Sequence, residues 1–298
     1  MVVKVRAYLP ELAIIAASTL YGATFSVVQD ALDSTTPSGF NVLRFSLGTL
    51  VLLPFALGRR WQGPRPRSRD SWRTMALGAT MLGALTAFAY QTQNIGLQHT
   101  TTSNSAFITG LFAVFAGVFE AIRFRRLPRR GILGALALSM LGLFLLTGAE
   151  PTLEFGDAIT LFAAASFGAW FVVIGELAPR FEILVVTAVQ FVTVAGLSLL
   201  VVPFEGWGTI DATVILAVVF TGIGCSAIAF SLSMWAQRTI EPSRAGFLTL
   251  FEPVVAGVVG YAIGERLGVA GYLGALFILA GMVVAQLGTH RARRADAM

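Results

Sequence analysis

Charge is what this sequence has least of. Asp, Glu, Lys and Arg make up 12% of its 298 residues, while 56% are hydrophobic and the mean hydropathy is +0.77. An ordinary soluble domain carries about a quarter charged residues, so a water-soluble globular enzyme is excluded. Cysteine occurs once, as Cys225 inside an apolar run; an intramolecular disulfide and a thiolate metal cluster are both excluded. The histidines, His99 and His290, fall in an expected loop and the tail. No G-x-x-x-x-G-K-[ST] phosphate loop occurs, and the nearest glycine pair, Gly260 and Gly264, is followed by Glu265. No enzymatic activity, cofactor or metal is expected.

What is abundant is apolar length. Ten segments approach the roughly 20 apolar residues that cross a bilayer: 10–29, 37–57, 73–97, 102–122, 131–148, 156–177, 183–203, 212–236, 242–263 and 269–288. Polar or Pro/Gly-rich stretches such as Asp33-Ser34-Thr35-Thr36-Pro37 separate most of them. The first follows Lys4 and Arg6, as a cleaved signal peptide would. Its apolar run continues past Ala16-Ala17-Ser18, so a retained helix is expected. The fold class is therefore an all-α integral membrane protein with ten transmembrane helices.

The few charges are sorted by side. Lys4, Arg6, the clusters at 59–73 and 123–130, and Arg180, Arg238, Arg244, Arg291, Arg293 and Arg294 share one face, giving it 19 of the 21 basic residues. The opposite loops hold Asp30, Asp33, Glu150, Glu154, Asp157, Glu205, Asp211 and Glu265, with Arg266. Basic residues mark cytoplasmic loops, so both termini are expected in the cytoplasm of a bacterial inner membrane. The basic clusters then serve topology and lipid headgroups rather than nucleic acid.

The chain also repeats itself. Residues 104–146 align without gaps on 244–286 at an offset of 140, with 13 of 43 positions identical, among them Phe107/Phe247 and Thr109/Thr249. Tyr21-Gly22-Ala23-Thr24-Phe25 matches Phe167-Gly168-Ala169-Trp170-Phe171, and Pro54 and Pro203 close the second and seventh segments. Each half, 1–148 and 149–298, holds five segments. Five is odd, so the second half inserts upside down, and a substrate site is expected near the midplane between two inverted repeats.

The run from Phe247 through Glu252-Pro253 to Gly264-Glu265-Arg266-Leu267, with Gly271-Tyr272-Leu273-Gly274, resembles the EamA-type repeat of the drug/metabolite transporter superfamily. Ser105–Leu111 and Tyr21–Phe25 fit its first repeat. The resemblance implies ten helices, two inverted repeats and export of small metabolites without ATP hydrolysis; the bacterial aromatic amino-acid exporters are the branch it suggests. In the first repeat Phe112-Ala113 replaces Glu-Pro, and Phe124-Arg125-Arg126-Leu127 replaces Gly-Glu-Arg-Leu.

Against so empty a background, intramembrane polar residues are candidates for function. Glu252 could carry a coupling proton, or cap backbone groups freed around Pro253. Arg44 could meet a substrate carboxylate, snorkel to headgroups or pair with an acid. Gln91, Asn94 and Gln98 share one face of the third segment, which must look into the bundle; Gln91 and Asn94 are the cavity candidates. Asn104 could join them or cap the fourth segment. Tyr90, Trp170, Phe230 and Trp235 could stack on a flat substrate or simply pack. Thr24, which the repeat aligns with Trp170, and Phe247, aligned with Phe107, complete the set. The expected function is export of amino acids or related amphipathic compounds by alternating access, with the substrate, the bilayer and protons as partners. A proton-coupled multidrug or cation exporter is the alternative, and a non-transporting scaffold or receptor the reading from another class.

Overall fold

Helix starts follow local chemistry. The structure, a computed structural model, describes residues 8–58, 66, 68–99, 102–125, 130–148, 154–262 and 268–295, without the side chains of 25, 26, 102–104, 106, 147, 260, 261 and 285–295. Among the expected topology charges, Lys4, Arg6, Arg59, Arg60, Arg65, Arg67, Arg126, Arg129, Glu150, Glu265 and Arg266 lie outside the described residues. Thr36 Oγ1 accepts from Gly39 N–H at 3.1 Å where Pro37 opens a helix, and Ser68 Oγ accepts from Ser71 N–H at 3.1 Å before Arg69. Glu154 and Asp157 form a reciprocal capping box at the start of another.

Helices occupy all ten expected segments. In order they are α1 (Leu9–Gly22), α2 (Phe25–Leu32), α3 (Pro37–Leu57), α4 (Arg69–Leu97), α5 (Thr102–Gly110), α6 (Phe112–Phe124), α7 (Arg130–Thr147), α8 (Phe155–Leu177) and α9 (Ile183–Glu205). There follow α10 (Ala212–Val219), a π-helical stretch Phe220–Phe230, α11 (Ser231–Ala236), α12 (Pro242–Thr249), α13 (Phe251–Ala262) and α14 (Val269–Ala295). Among the described residues, five spans are long and apolar enough to cross a membrane by length and composition: Pro37–Leu57, Phe107–Phe124, Phe155–Leu177, Ile183–Glu205 and Ala212–Ala236. Three segments expected as single helices are broken, at Ala23-Thr24, at Leu111 and at Leu250. The latter two breaks fall within one residue of repeat-equivalent positions. Sequence periodicity does not reveal such breaks, because the residues on both sides are apolar helix formers.

The packing is symmetric under exchange of the halves. α3 lies along α9, and α7 along α14; α4 packs on α8 and α9 as the π-helical span packs on α1 and α3. Counterpart helices run antiparallel, as inverted repeats require. Ser38, at the start of α3, donates its N–H to Glu205 Oε2 at 3.1 Å, at the end of α9. Likewise Gly142 meets Gly274, while Ser139 and Ala135 meet Gly281. The α7–α14 contact is backbone on backbone: a Cβ at Gly142 would lie 2.6 Å from the Gly274 carbonyl oxygen and 2.8 Å from Ile278 N.

The two ends of the bundle are joined differently. On one face the 33–36 loop grips the loop after α9: Thr35 Oγ1 donates to the Trp207 carbonyl at 2.8 Å, Thr36 Oγ1 to the Gly206 carbonyl at 2.8 Å, and Thr209 N–H to the Ser34 carbonyl at 2.7 Å. On the other face, Arg244 Nη2 meets Glu11 Oε1 at 2.9 Å, with both residues buried. Arg244, expected as a loop charge, thus belongs to α12 and ties it to α1. Breaking a buried pair of this kind costs about 3–5 kcal/mol.

Gly142→Val is expected to lower stability by about 1–3 kcal/mol through overpacking, read as a fall in thermal midpoint in detergent. Gly196→Ala, where nothing lies within 4 Å, serves as the control and should leave the midpoint unchanged or slightly higher. A second prediction concerns acid. The Val214 N–H and then the Ser34 hydroxyl hold the Asp211 carboxyl below its ordinary range. Its contribution to the loop junction is therefore complete above the unfolded value of about 3.9. It is lost as pH falls through the lower folded value. Asp211→Asn should flatten this acid limb of the stability profile.

Candidate functional site

The helix breaks bring polar and aromatic side chains together. A cavity of about 120 Å³ lies between the halves, lined from α1, α2, α3, α4, α5, α6, α8, the π-helical span, α11, α12 and α13. Its wall reaches Gln29 and Leu97, so it extends to the face where α2 and α4 end. Toward the Glu11–Arg244 face, α1 and α12 bury Ile14, Ala245 and Leu248, none of which lines the cavity.

The lining is paired by the repeat. Tyr21 and Thr24 correspond to Phe167 and Trp170 by the Tyr21–Phe25 match. At the offset of 140, Tyr90 and Gln93 correspond to Phe230 and Ser233, and Thr109 and Phe112 to Thr249 and Glu252. All twelve line the cavity. In the last two pairs a residue just before each break and another just after it face the same space. The cavity therefore sits on the relation between the halves. The α3 residues Phe40 and Arg44 also line it, without counterparts from α9.

Arg44 is 4% exposed, so it does not snorkel, and it forms no ion pair among the described residues. Its Nε donates to Ser226 Oγ at 3.1 Å and its Nη2 to Tyr90 Oη at 3.3 Å. The guanidinium carbon lies 4.8 Å from the Tyr90 ring centroid and 5.1 Å from that of Phe45, within cation–π range. Ser226 reaches it from the π-helical stretch. Glu252, the acidic residue of the lining, makes no side-chain hydrogen bond or ion pair among the described residues, so it does not cap the backbone around Pro253.

Aromatic rings form the apolar wall. Trp170 meets Phe230 edge to face at 5.7 Å and Phe171 at 5.2 Å; Tyr90 meets Phe167 at 5.3 Å; Phe112 stacks on Phe171 at 5.6 Å. The Trp170 Nε1–H is buried without an acceptor. Opposite it in polarity, Gln93 Nε2 donates to Thr109 Oγ1 at 3.1 Å.

Of the sequence candidates, Thr24, Arg44, Tyr90, Asn94, Trp170, Phe230 and Glu252 meet at this cavity. Three do not. Gln91 turns away and donates to Glu205, because the inward face of α4 runs through Tyr90, Gln93, Asn94 and Leu97, one position off the expected face. Trp235 is 39% exposed on the outside of the bundle, and Phe247 is fully buried in the core beside the cavity. The Asn104 side chain lies outside the described residues. Missed were Tyr21, Gln93, Thr109, Phe112, Phe167, Phe171, Ser233 and Thr249. Carrying the repeat offset from Tyr90 and Glu252 along their helix faces would have found most of them.

A sequence profile of the EamA-like transporter family matches residues 9–148 and again 154–286. The chain is 29% identical over 274 residues to an uncharacterized transporter of Archaeoglobus fulgidus, covering 90% of this chain and 82% of the relative. It is 23% identical over 295 residues to the uncharacterized transporter YyaM of Bacillus subtilis, covering 90% of each. A crystal structure superposes with a TM-score of 0.76 at 20% identity, covering 94% of this chain and 97% of the other, which shows a shared fold.

A buried cation without an acid partner is a poor stabiliser, and apolar replacement of such groups is often neutral or favourable. Arg44→Leu is therefore expected to keep or raise the thermal midpoint in detergent. A fall of several degrees would assign Arg44 to stability instead of ligand contact.

Proposed function

We propose that this chain, which belongs to the EamA-like transporter family, exports small amphipathic metabolites, amino acids foremost, across a bacterial inner membrane by alternating access. The observation that carries this reading is the cavity lined by repeat-equivalent positions on opposed helices. Rocking one half, 1–148, against the other, 149–298, exchanges the roles of the two ends while the same side chains keep facing the ligand. With both termini cytoplasmic, as the basic residues favour, the cavity opens outward and the Glu11–Arg244 pair seals the inner end.

Arg44 supplies a fixed positive charge for a carboxylate, Glu252 an acid for an amine or a coupling proton, and the rings of Trp170, Phe167 and Phe230 an apolar bed. By the repeat, Glu11 corresponds to Asp157 and Arg244 to Asn104. A second reading, a proton-coupled exporter of cationic compounds, is favoured by Glu252 standing free in an aromatic cavity, where a cation would find both charge and ring faces.

Flux of labelled amino acids and of cationic dyes in proteoliposomes, with and without a pH gradient, separates the readings. Amino-acid flux abolished by Arg44→Leu supports the first; dye flux driven by the gradient and abolished by Glu252→Gln supports the second. Flux of neither class, beside robust flux of an unrelated solute, overturns both. Phe112→Trp, which adds bulk to the cavity wall, is expected to lower flux roughly tenfold or more for either substrate, since overpacking costs about 1–3 kcal/mol. Arg244→Gln should shift the protein toward its inner-open form, read as faster labelling of cysteines placed on the cytoplasmic side of the cavity.

A further inference from the structure

A second cavity, of about 280 Å³, opens on the outside of the bundle between α6 and α7. Val114, Gly117, Ala121 and Ile122 of α6 and Ile132 and Leu136 of α7 give it apolar walls. Its rim faces outward, with Ile122 69% exposed and Leu133 42% exposed. One polar side chain interrupts the lining. Ser243 of α12 is 3% exposed; its N–H donates to Glu120 Oε2 at 2.6 Å, and the same carboxylate lies within reach of its hydroxyl. That hydroxyl lines a groove open to the surroundings.

The groove runs along α6 toward an end rich in arginine. Arg123 there is taken by Glu176, at 2.6 Å. Arg125, just past the helix in a left-handed conformation (φ 53°), and Arg130, which opens α7, are both exposed and form no ion pair among the described residues. From Ala113 to Ile122 the lining of α6 covers about 14 Å, the length of a good part of an acyl chain. An apolar slot of that length, a lone hydroxyl within it and two free guanidiniums at one end match the chemistry of a single lipid.

We propose that this groove seats one anionic phospholipid, with an acyl chain along α6, the phosphodiester on Arg125 and Arg130, and a glycerol-ester carbonyl accepting from Ser243 Oγ. Basic pockets between membrane helices favour anionic headgroups, and an acyl chain supplies the dispersion contacts that an empty slot forgoes. The site also touches the seal described above. Ser243 lies between Glu120, which holds its N–H, and Arg244, which pairs with Glu11. Lipid occupancy thus fixes the start of α12 in the position that keeps that end closed. The inference rests on the membrane reading and needs no particular substrate.

The test is native mass spectrometry of the delipidated full chain titrated with palmitoyl-oleoyl phosphatidylglycerol or with phosphatidylcholine of the same chains. Phosphatidylglycerol is expected to fill one site first. Arg125→Gln with Arg130→Gln should weaken it roughly thirtyfold, at about fivefold per basic residue, and leave phosphatidylcholine unchanged. Val114→Phe and, separately, Ala121→Phe fill the slot and should abolish the first adduct; if one of these fails to fold, the other and the arginine pair decide. Equal binding of the two lipids by the unaltered chain overturns the proposal. So does undiminished phosphatidylglycerol binding in a folded groove-filled variant.

Discussion

A guanidinium at the centre of a membrane protein has no bulk water to solvate it, so the protein must supply a substitute. Around Arg44 that substitute comes from three directions. Ser226 accepts from Nε, Tyr90 accepts from Nη2, and the Tyr90 and Phe45 rings present their faces. Each partner imposes its own demand. Tyr90 must stand on the inward face of α4, which turns Gln93 and Asn94 inward with it. Ser226 must approach α3 closely, and the small residues allow this: a Cβ at Gly48 would lie 2.9 Å from Ser226 Cβ, and one at Gly222 would lie 3.0 Å from the Arg44 carbonyl oxygen. The π-helical stretch Phe220–Phe230 lies in the same contact, as such segments often do at functional sites.

The halves share a backbone plan but not a chemistry. At offset positions around the cavity the first half presents Tyr90, Gln93 and Phe112, and the second Phe230, Ser233 and Glu252. By the offset of Pro54 to Pro203, the counterpart of Arg44 is Thr193, which donates its hydroxyl to the Val189 carbonyl at 2.9 Å and packs against Gly83. The two halves thus match in the placement of the lining and differ in its charge, with Arg44 and Glu252 both on the cavity wall.

Much of this was legible because the bilayer is a strict selector. Its thickness sets segment length, so the ten helical segments could be read from apolar runs, and the odd number in each half forced antiparallel counterparts. The contact of Ser38 with Glu205 sets α3 antiparallel to α9. Arg44 and Glu252 stood out for the same reason, being charges where charges are expensive. The breaks at Ala23-Thr24, Leu111 and Leu250 were hidden, since tertiary contacts place them. Gln91 misled because polarity along α4 was read without its partner. The carboxylate of Glu205, at the end of α9, draws Gln91 off the inward face, and that carboxylate is 114 residues away.

The two ends of the bundle are held by different forces, and the difference bears on which form the protein rests in. The Glu11–Arg244 contact is one charged pair, buried on both sides, whose separation exposes two ions to a poor solvent unless water enters. On the opposite face loop carbonyls accept from Thr35, Thr36 and Thr209, and the Glu205 carboxylate accepts from Ser38 N–H and Gln91 Nε2. Water can serve the loop carbonyls nearly as well, while the bonds to the carboxylate are worth more. Opening at the ion-pair end is thus the costly step unless something compensates the two charges. At the equivalent places of the other repeat stand Asp157 and Asn104, which carry one formal charge between them. In the proposed cycle a ligand can separate the Glu11–Arg244 pair only by binding the open form more tightly than the closed one.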